Sequence, residues 1–170
     1  WSHASFGLVG GYPVYSGQFP SVFIMTGETE VLTEAYCTAS KISPEWILTA
    51  AHCVDDAYRT KFQHRMKLKA DIKAGQKLQY SFETKEIKTA ETMEILEVRL
   101  PYGPLPDVAL IRVAPQGTFA QRPVAALSRG YVPHNLWIEL VGYGAEGEGD
   151  VAQRPARLTF HGAVVSTTDY

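Results

Sequence analysis

The stretch Leu48-Thr49-Ala50-Ala51-His52-Cys53 is the most informative part of this sequence. It places a histidine beside a cysteine, directly after a hydrophobic, strand-like run, and a second cysteine, Cys37, lies sixteen positions before Cys53. An imidazole has an unperturbed pKa of about 6.5, so a histidine held in place can take up and return a proton near neutral pH. His52 is therefore a candidate general base, although a lone histidine is more often structural.

Asp107 is the candidate partner of this histidine. It opens the stretch Asp-Val-Ala-Leu-Ile-Arg-Val, which follows a proline-rich loop. A carboxylate at the head of a buried strand is costly unless it is paired or hydrogen-bonded. A histidine suits it, because the acid fixes the imidazole tautomer and stabilises the imidazolium. We predict that folding brings Asp107 beside His52; the alternative is a loop residue or turn cap.

The composition is that of a folded protein of one domain or slightly more. The chain has 170 residues, of which 45% are hydrophobic and 20% are charged. Its formal net charge of -2 argues against general nucleic-acid binding, which needs a basic excess. No apolar run approaches the ~20 residues of a membrane span, so we expect neither nucleic acid nor membrane as a partner.

Short strands dominate the pattern, and several alternate apolar and polar residues. The predicted strands are 19–25, 46–49, 66–70, 77–82, 94–100, 108–113, 136–141 and 156–165. Helical periodicity is weak, and its best candidate is one short turn around 50–57. Many short strands separated by turn residues indicate a β-sandwich or β-barrel. The segment 115–133 is poor in strand signals, and the two strong strands after it are too few to close a barrel.

Four segments resemble trypsin-like (chymotrypsin-fold) serine proteases. The histidine region of that family is similar to the stretch from Cys37 to Cys53, Cys-Thr-Ala-Ser-Lys-Ile-Ser-Pro-Glu-Trp-Ile-Leu-Thr-Ala-Ala-His-Cys. The aspartate segment of the family is similar to Asp107-Val-Ala-Leu-Ile-Arg. Leu8-Val-Gly-Gly resembles the amino terminus that forms when such zymogens are cut. Gly142-Tyr-Gly resembles a segment early in the second barrel of the family. All four occur in family order, over roughly the first two-thirds of such a domain.

The resemblance implies an all-β, chymotrypsin-like double β-barrel with the second barrel incomplete in this chain. Residues 1–7 would be a pro-segment or N-terminal extension, 8–115 the first barrel, 116–133 the inter-barrel linker and 134–170 the opening strands of the second barrel. It also implies a Cys37–Cys53 disulfide, His52 as the general base and Asp107 as the residue that orients it. From composition alone, two buried free thiols would be an equal alternative.

The family's Gly-Asp-Ser-Gly-Gly nucleophile motif does not occur in these residues. The resemblance therefore implies a serine endopeptidase acting through an acyl-enzyme, whose serine lies outside this chain. This chain alone should then be inactive, and a companion segment would supply the serine and the rest of the second barrel. The alternative is a catalytically inactive, protease-like binding module.

The resemblance also implies the class of substrate and the location of the protein. The substrate would be a protein or peptide, the location secreted or periplasmic, and no cofactor or metal is expected. Gly142-Tyr-Gly-Ala-Glu-Gly fits the G-x-G-x-x-G pattern, but the residues after it will not form the helix that a dinucleotide site needs. The segment 59–88 carries nine Lys or Arg against three Asp or Glu, which indicates a solvated strand face or, less simply, a site for an acidic partner.

Overall fold

The structure is a computed structural model, and it describes residues 12–13, 17–28, 37–55, 72–82, 90–102, 106–130, 137–143 and 158–164. Its strands are β1 (Tyr12–Pro13), β2 (Val22–Gly27), β3 (Cys37–Lys41), β4 (Trp46–Thr49), β5 (Lys77–Ser81), β6 (Glu91–Arg99), β7 (Ala109–Val113), β8 (Trp137–Tyr143) and β9 (Leu158–Val164). A 3-10 turn spans Ala51–Cys53, and a short α-helix, α1, spans Gly117–Gln121.

Most predicted strands are present within a few residues of their predicted ends. The predicted strand 46–49 has the same bounds as β4, whereas the strand predicted at 66–70 lies outside the described residues. Sequence reasoning missed β3, because its Cys-Thr-Ala-Ser-Lys composition has no large apolar or aromatic residue and only one β-branched residue, Thr38. The turn predicted around 50–57 is a 3-10 turn of three residues, and residues 56–71 are not described.

Six antiparallel strands form a closed barrel in the order β2-β3-β4-β7-β6-β5. Its interior is filled from alternate positions of each strand, as the period of two in a β-strand requires. In β3, for example, Cys37, Ala39 and Lys41 are buried while the residues between them are partly exposed. Closure leaves no open edge among these strands, and the barrel is the main hydrophobic core of the described residues.

The remaining strands form a separate three-stranded sheet in the order β1-β9-β8. β8 and β9 pair along their whole length, from Trp137 opposite Val164 to Tyr143 opposite Leu158. The sheet is open within the described residues, in contrast to the barrel. The predicted all-β fold is confirmed among the described residues, which form a closed barrel and a second, open sheet.

Helix α1 is held against the barrel at both of its ends. A helix of five residues is too short to be stable alone, because helix nucleation is unfavourable. At its amino end, the Glu91 carboxylate accepts the Thr118 N–H at 2.8 Å and the Tyr80 hydroxyl at 2.8 Å. Burial by itself would raise the pKa of Glu91, but these hydrogen bonds from Thr118 and Tyr80 lower it below its usual value.

The carboxyl end of α1 receives the ammonium group of Lys41. This side chain is 2% exposed, and its Nζ donates to the carbonyl oxygens of Phe119 at 2.7 Å and Arg122 at 2.8 Å. The Lys41 Nζ also lies 4.8 Å from the centre of the Phe119 ring, within cation–π range. A carboxylate and an ammonium thus face the positive and negative ends of the helix dipole respectively, which is the favourable arrangement.

Phe119 anchors the helix in the barrel core. Its ring is fully buried and makes edge contacts with Phe23 and Tyr80, with centroid distances of 5.8 Å and 6.0 Å. Aromatic pairs favour this edge-to-face arrangement because of the ring quadrupole. The segment 115–133, which lacked strand signals, therefore begins with a helix packed firmly on the barrel.

We expect the protein to lose stability between pH 10 and pH 12 as Tyr80 titrates. Burial, followed by the hydrogen bond to Glu91, raises the pKa of Tyr80 to about 12 from a usual value of 10.0. As the pH rises, Tyr80 therefore loses its hydroxyl proton at a lower pH in the unfolded chain than in the folded protein. The stabilisation by Tyr80 is fully present below pH 10, and its contribution to the free energy of unfolding should fall by about 1.4 kcal/mol per pH unit between pH 10 and pH 12.

Denaturant unfolding of the wild type and Tyr80→Phe at several pH values between 9 and 12 measures this contribution. Tyr80→Phe should be less stable than the wild type at pH 9, but its free energy of unfolding should fall less steeply with pH than that of the wild type. Tyr143 also has a pKa raised to about 12 by burial, and it contributes equally to both proteins. Parallel pH curves for the two proteins would contradict the prediction.

Candidate active site

The pairing of β4 with β7 brings His52 and Asp107 together. These strands are antiparallel, and Thr49, at the end of β4, lies opposite Ala109, at the start of β7. His52 follows Thr49 by three residues, and Asp107 precedes Ala109 by two. Both therefore emerge at the same end of the barrel, although 55 positions separate them in the sequence.

Asp107 holds His52 through both oxygens of its carboxylate. Oδ1 accepts the backbone N–H of His52 at 2.9 Å, and Oδ2 lies 2.6 Å from the ring Nδ1. The first contact fixes the backbone of the 3-10 turn, and the second fixes the rotation of the ring. This double contact leaves little freedom for the imidazole to turn away from the acid.

The pair lies at the boundary between protein and solvent. The side chains of His52 and Asp107 are 14% and 26% exposed. Partial burial strengthens an interaction between charged and polar groups, whereas the remaining exposure leaves the ring accessible. With the proton of the neutral ring placed on Nδ1 toward Asp107, Nε2 carries the lone pair, and this is the arrangement of a general base.

The predicted Cys37–Cys53 disulfide is present, with a Cα–Cα distance of 6.1 Å. Both cysteines are buried, and Cys53 immediately follows His52. The bond joins the start of β3 to the 3-10 turn, so it ties the turn that carries the histidine to the barrel wall. Composition alone left two free thiols and a disulfide as equal alternatives, and the structure shows the disulfide.

A cluster of Cys37, His52 and Cys53 has ligand atoms within 4.8 Å of one another. Metal ions bind thiolates, and the two sulfurs here are bonded to each other, so the cluster does not offer a metal its usual sulfur ligands. The acidic residues Glu146, Glu148 and Asp150 lie outside the described residues.

Three other sequence predictions fall wholly or mainly outside the described residues. These are the Leu8-Val-Gly-Gly segment, most of the basic segment 59–88, and the residues after Tyr143 in the glycine pattern. Gly142 and Tyr143 themselves end β8, and both are buried. Among the described residues, no helix has the length and apolar character needed to cross a membrane.

Sequence reasoning assigned no role to Thr38, which lies at the junction of the barrel and the open sheet. Its hydroxyl oxygen accepts the Tyr143 N–H at 2.8 Å, and its carbonyl accepts the Thr49 hydroxyl at 2.9 Å. Lys41 was also missed. Its interior position follows from the two-residue period of β3, a strand that the sequence did not reveal.

The family model for trypsin matches residues 8–167 of this chain. The chain belongs to the trypsin family. This trypsin-family chain is 30% identical over 104 residues to coagulation factor IX of Cavia porcellus, a match that covers 56% of the chain and 35% of that protein. It is 30% identical over 106 residues to a collagenase of Hypoderma lineatum, covering 62% of the chain and 36% of that protein.

The solved structure of HL collagenase has a similar fold. It superposes with a TM-score of 0.58 at 20% identity, covering 91% of this chain and 62% of that one. The matches span about a third of the length of the two curated relatives. The trypsin-family assignment thus rests on the family model across nearly the whole chain, and the similar structure supports the fold.

Proposed function

We propose that this chain is part of a serine endopeptidase that hydrolyses peptide bonds through an acyl-enzyme. The observation that carries the proposal is the contact of both Asp107 carboxylate oxygens with His52. Membership of the trypsin family supports it independently. His52 would be the general base, and Asp107 would orient it and stabilise its charged form.

In the proposed reaction, His52 Nε2 takes the proton of a serine hydroxyl as the serine oxygen attacks the carbonyl carbon of the peptide bond. The resulting imidazolium is stabilised by Asp107 and gives its proton to the leaving amine. In the second half, His52 takes a proton from water as the water oxygen attacks the acyl carbon. The imidazolium then returns this proton to the serine oxygen as the bond between that oxygen and the acyl carbon breaks and the acid product leaves. Asp107 stays ionised throughout.

The serine and the donors of the oxyanion hole would come from sequence outside these 170 residues. A companion segment would complete the second barrel, to which β1, β8 and β9 contribute in the described residues. We propose the division already given, with the first barrel at 8–115, the linker at 116–133 and the start of the second barrel at 134–170. The barrel strands lie between Val22 and Val113, inside the first of these ranges, whereas β1, at Tyr12–Pro13, pairs with β9 in the second sheet.

We propose that the protein is secreted, since disulfides persist in oxidising compartments. The buried Cys37–Cys53 bond supports this location. The Leu8-Val-Gly-Gly segment, preceded by seven residues, supports a zymogen that is cut before Leu8. Its substrates would be proteins or peptides.

An active-site phosphonate probe tests the proposal on the full-length, processed protein. The probe should attach to a serine outside residues 1–170, and His52→Ala should reduce the rate of labelling by at least about 10²-fold, because the serine loses its base. His64→Ala, a matched change in the basic segment, should label at the wild-type rate.

Two outcomes would count against the endopeptidase proposal. No labelling of the processed wild-type protein would favour the inactive, protease-like binding module. Equal labelling of the wild type and His52→Ala would show that another group activates the serine.

A further inference from the structure

We propose that Thr38 is a positioning residue that sets the second sheet at its working distance from the catalytic histidine. This inference rests on the proposed function, in which the first barrel carries the base and the completed second barrel carries the nucleophile. The separation of base and nucleophile then depends on how the second sheet docks onto the first barrel. Such a separation is critical, because a displacement of about 1 Å can lower a rate about 10²-fold.

The docking contact consists of one hydrogen bond and one close approach. β8 lies against β2 and β3, and its last residue, Tyr143, donates its N–H to Thr38 Oγ1 at 2.8 Å. Tyr143 is 5% exposed, so its N–H has little access to water as a replacement acceptor. The hydroxyl of Thr38 therefore fixes the end of β8 in both distance and direction.

Gly142 makes the close approach possible. A Cβ atom at position 142 would lie 3.1 Å from Thr38 Oγ1 and 3.7 Å from its Cβ and Cγ2. The first distance is tighter than ordinary van der Waals contact, so a side chain at position 142 would push β8 away from the barrel or displace the threonine. The hydroxyl of Thr38 and the missing side chain of Gly142 thus form one matched contact.

Thr38 is linked to His52 by two short routes. Its neighbour Cys37 is bonded to Cys53, which follows His52 directly. Its carbonyl accepts the hydroxyl of Thr49, three residues before His52. The point where the second sheet docks is therefore tied to both sides of the turn that carries the base.

A double-mutant cycle on the full-length protein tests the contact without relying on activity. Gly142→Ala should lower Tm by about 3 °C in the wild-type background and by less than about 1 °C in Thr38→Ala, which removes the atoms nearest to the new methyl group. Equal shifts in the two backgrounds would overturn the matched contact.

Steady-state kinetics on a peptide substrate test the positioning role. Thr38→Val keeps the size of the side chain but removes the hydroxyl, so kcat should fall at least about tenfold while KM changes less than about twofold. Thr38→Ser should restore kcat, and Thr92→Val, at an exposed position of β6, should leave it unchanged.

The outcomes separate this inference from the proposed function. Coupled Tm shifts with an unchanged kcat in Thr38→Val would make the contact purely structural and overturn the positioning role. An inactive wild-type protein would overturn the proposed function and the positioning role together, while the Tm cycle would still show whether Thr38 and Gly142 form the matched contact.

Discussion

Asp107→Asn is expected to lower kcat by about 10⁴-fold while leaving the fold intact, since this is the size of effect seen when a base of this kind is held in the wrong tautomer. The asparagine oxygen can take the place of Oδ1 and still accept the backbone N–H of His52, at 2.9 Å in the wild type. Its amide NH₂ then faces Nδ1, where Oδ2 stood 2.6 Å away. A donor in that position requires a lone pair on Nδ1, which moves the ring proton to Nε2 and removes the base.

Steady-state kinetics and thermal unfolding of the full-length protein check this prediction. KM and Tm should stay close to their wild-type values, because the substitution conserves shape and the backbone contact. Glu94→Gln, an acid-to-amide change at an exposed position of β6, should leave kcat within about twofold. A loss of kcat below about tenfold in Asp107→Asn would show that the carboxylate does not control the tautomer of His52.

Lys41→Met is expected to lower the free energy of unfolding by about 3 kcal/mol, because it removes a buried ammonium that donates to carbonyl oxygens at the carboxyl end of α1. Phe119 and Arg122 would lose hydrogen bonds of 2.7 Å and 2.8 Å, and the carboxyl end of α1 would lose its only charged partner among the contacts described above. Methionine fills a similar volume, so the effect should come mainly from the lost donor and charge rather than from a cavity.

Denaturant unfolding at pH 7 measures the difference between Lys41→Met and the wild type. Lys77→Met, at an exposed position of β5, is the matched control and should change stability by less than about 0.5 kcal/mol. Burial lowers the pKa of Lys41, and the ammonium form is the one that donates to the helix carbonyls. A Lys41→Met protein as stable as the wild type would mean that a hydrophobic side chain in contact with Phe119 can replace the ammonium.

The strands of the barrel were largely predictable, and β3 shows where prediction failed. β4 and β7 are runs of apolar residues, and hydrophobic burial makes such runs conspicuous. β3 consists of small and polar residues, and it is a strand because β2 and β4 on either side supply its hydrogen-bonding partners. Pairing of this kind is a property of neighbours distant in sequence, and no local propensity reports it.

The candidate site was predictable in its members but not in its supporting contacts. The motifs around His52 and Asp107 named both residues, and the cysteine spacing together with the family resemblance pointed to the bridge between Cys37 and Cys53. The contact of Thr38 with the end of β8 joins positions 105 apart in the sequence. The hydrogen bond from Lys41 to the Phe119 carbonyl in α1 joins positions 78 apart.

The order of residues along this chain was enough to show an all-β protein of the trypsin family with a histidine, an aspartate and a disulfide in recognisable positions. Hydrophobic patterning and short motifs are local, so they can be read without a structure. Only the tertiary structure showed three sets of contacts: those of Asp107 with His52, those at both ends of α1, and that of β8 with Thr38. These contacts are set by strand register and barrel closure, which bring distant backbone and side-chain atoms within hydrogen-bonding distance.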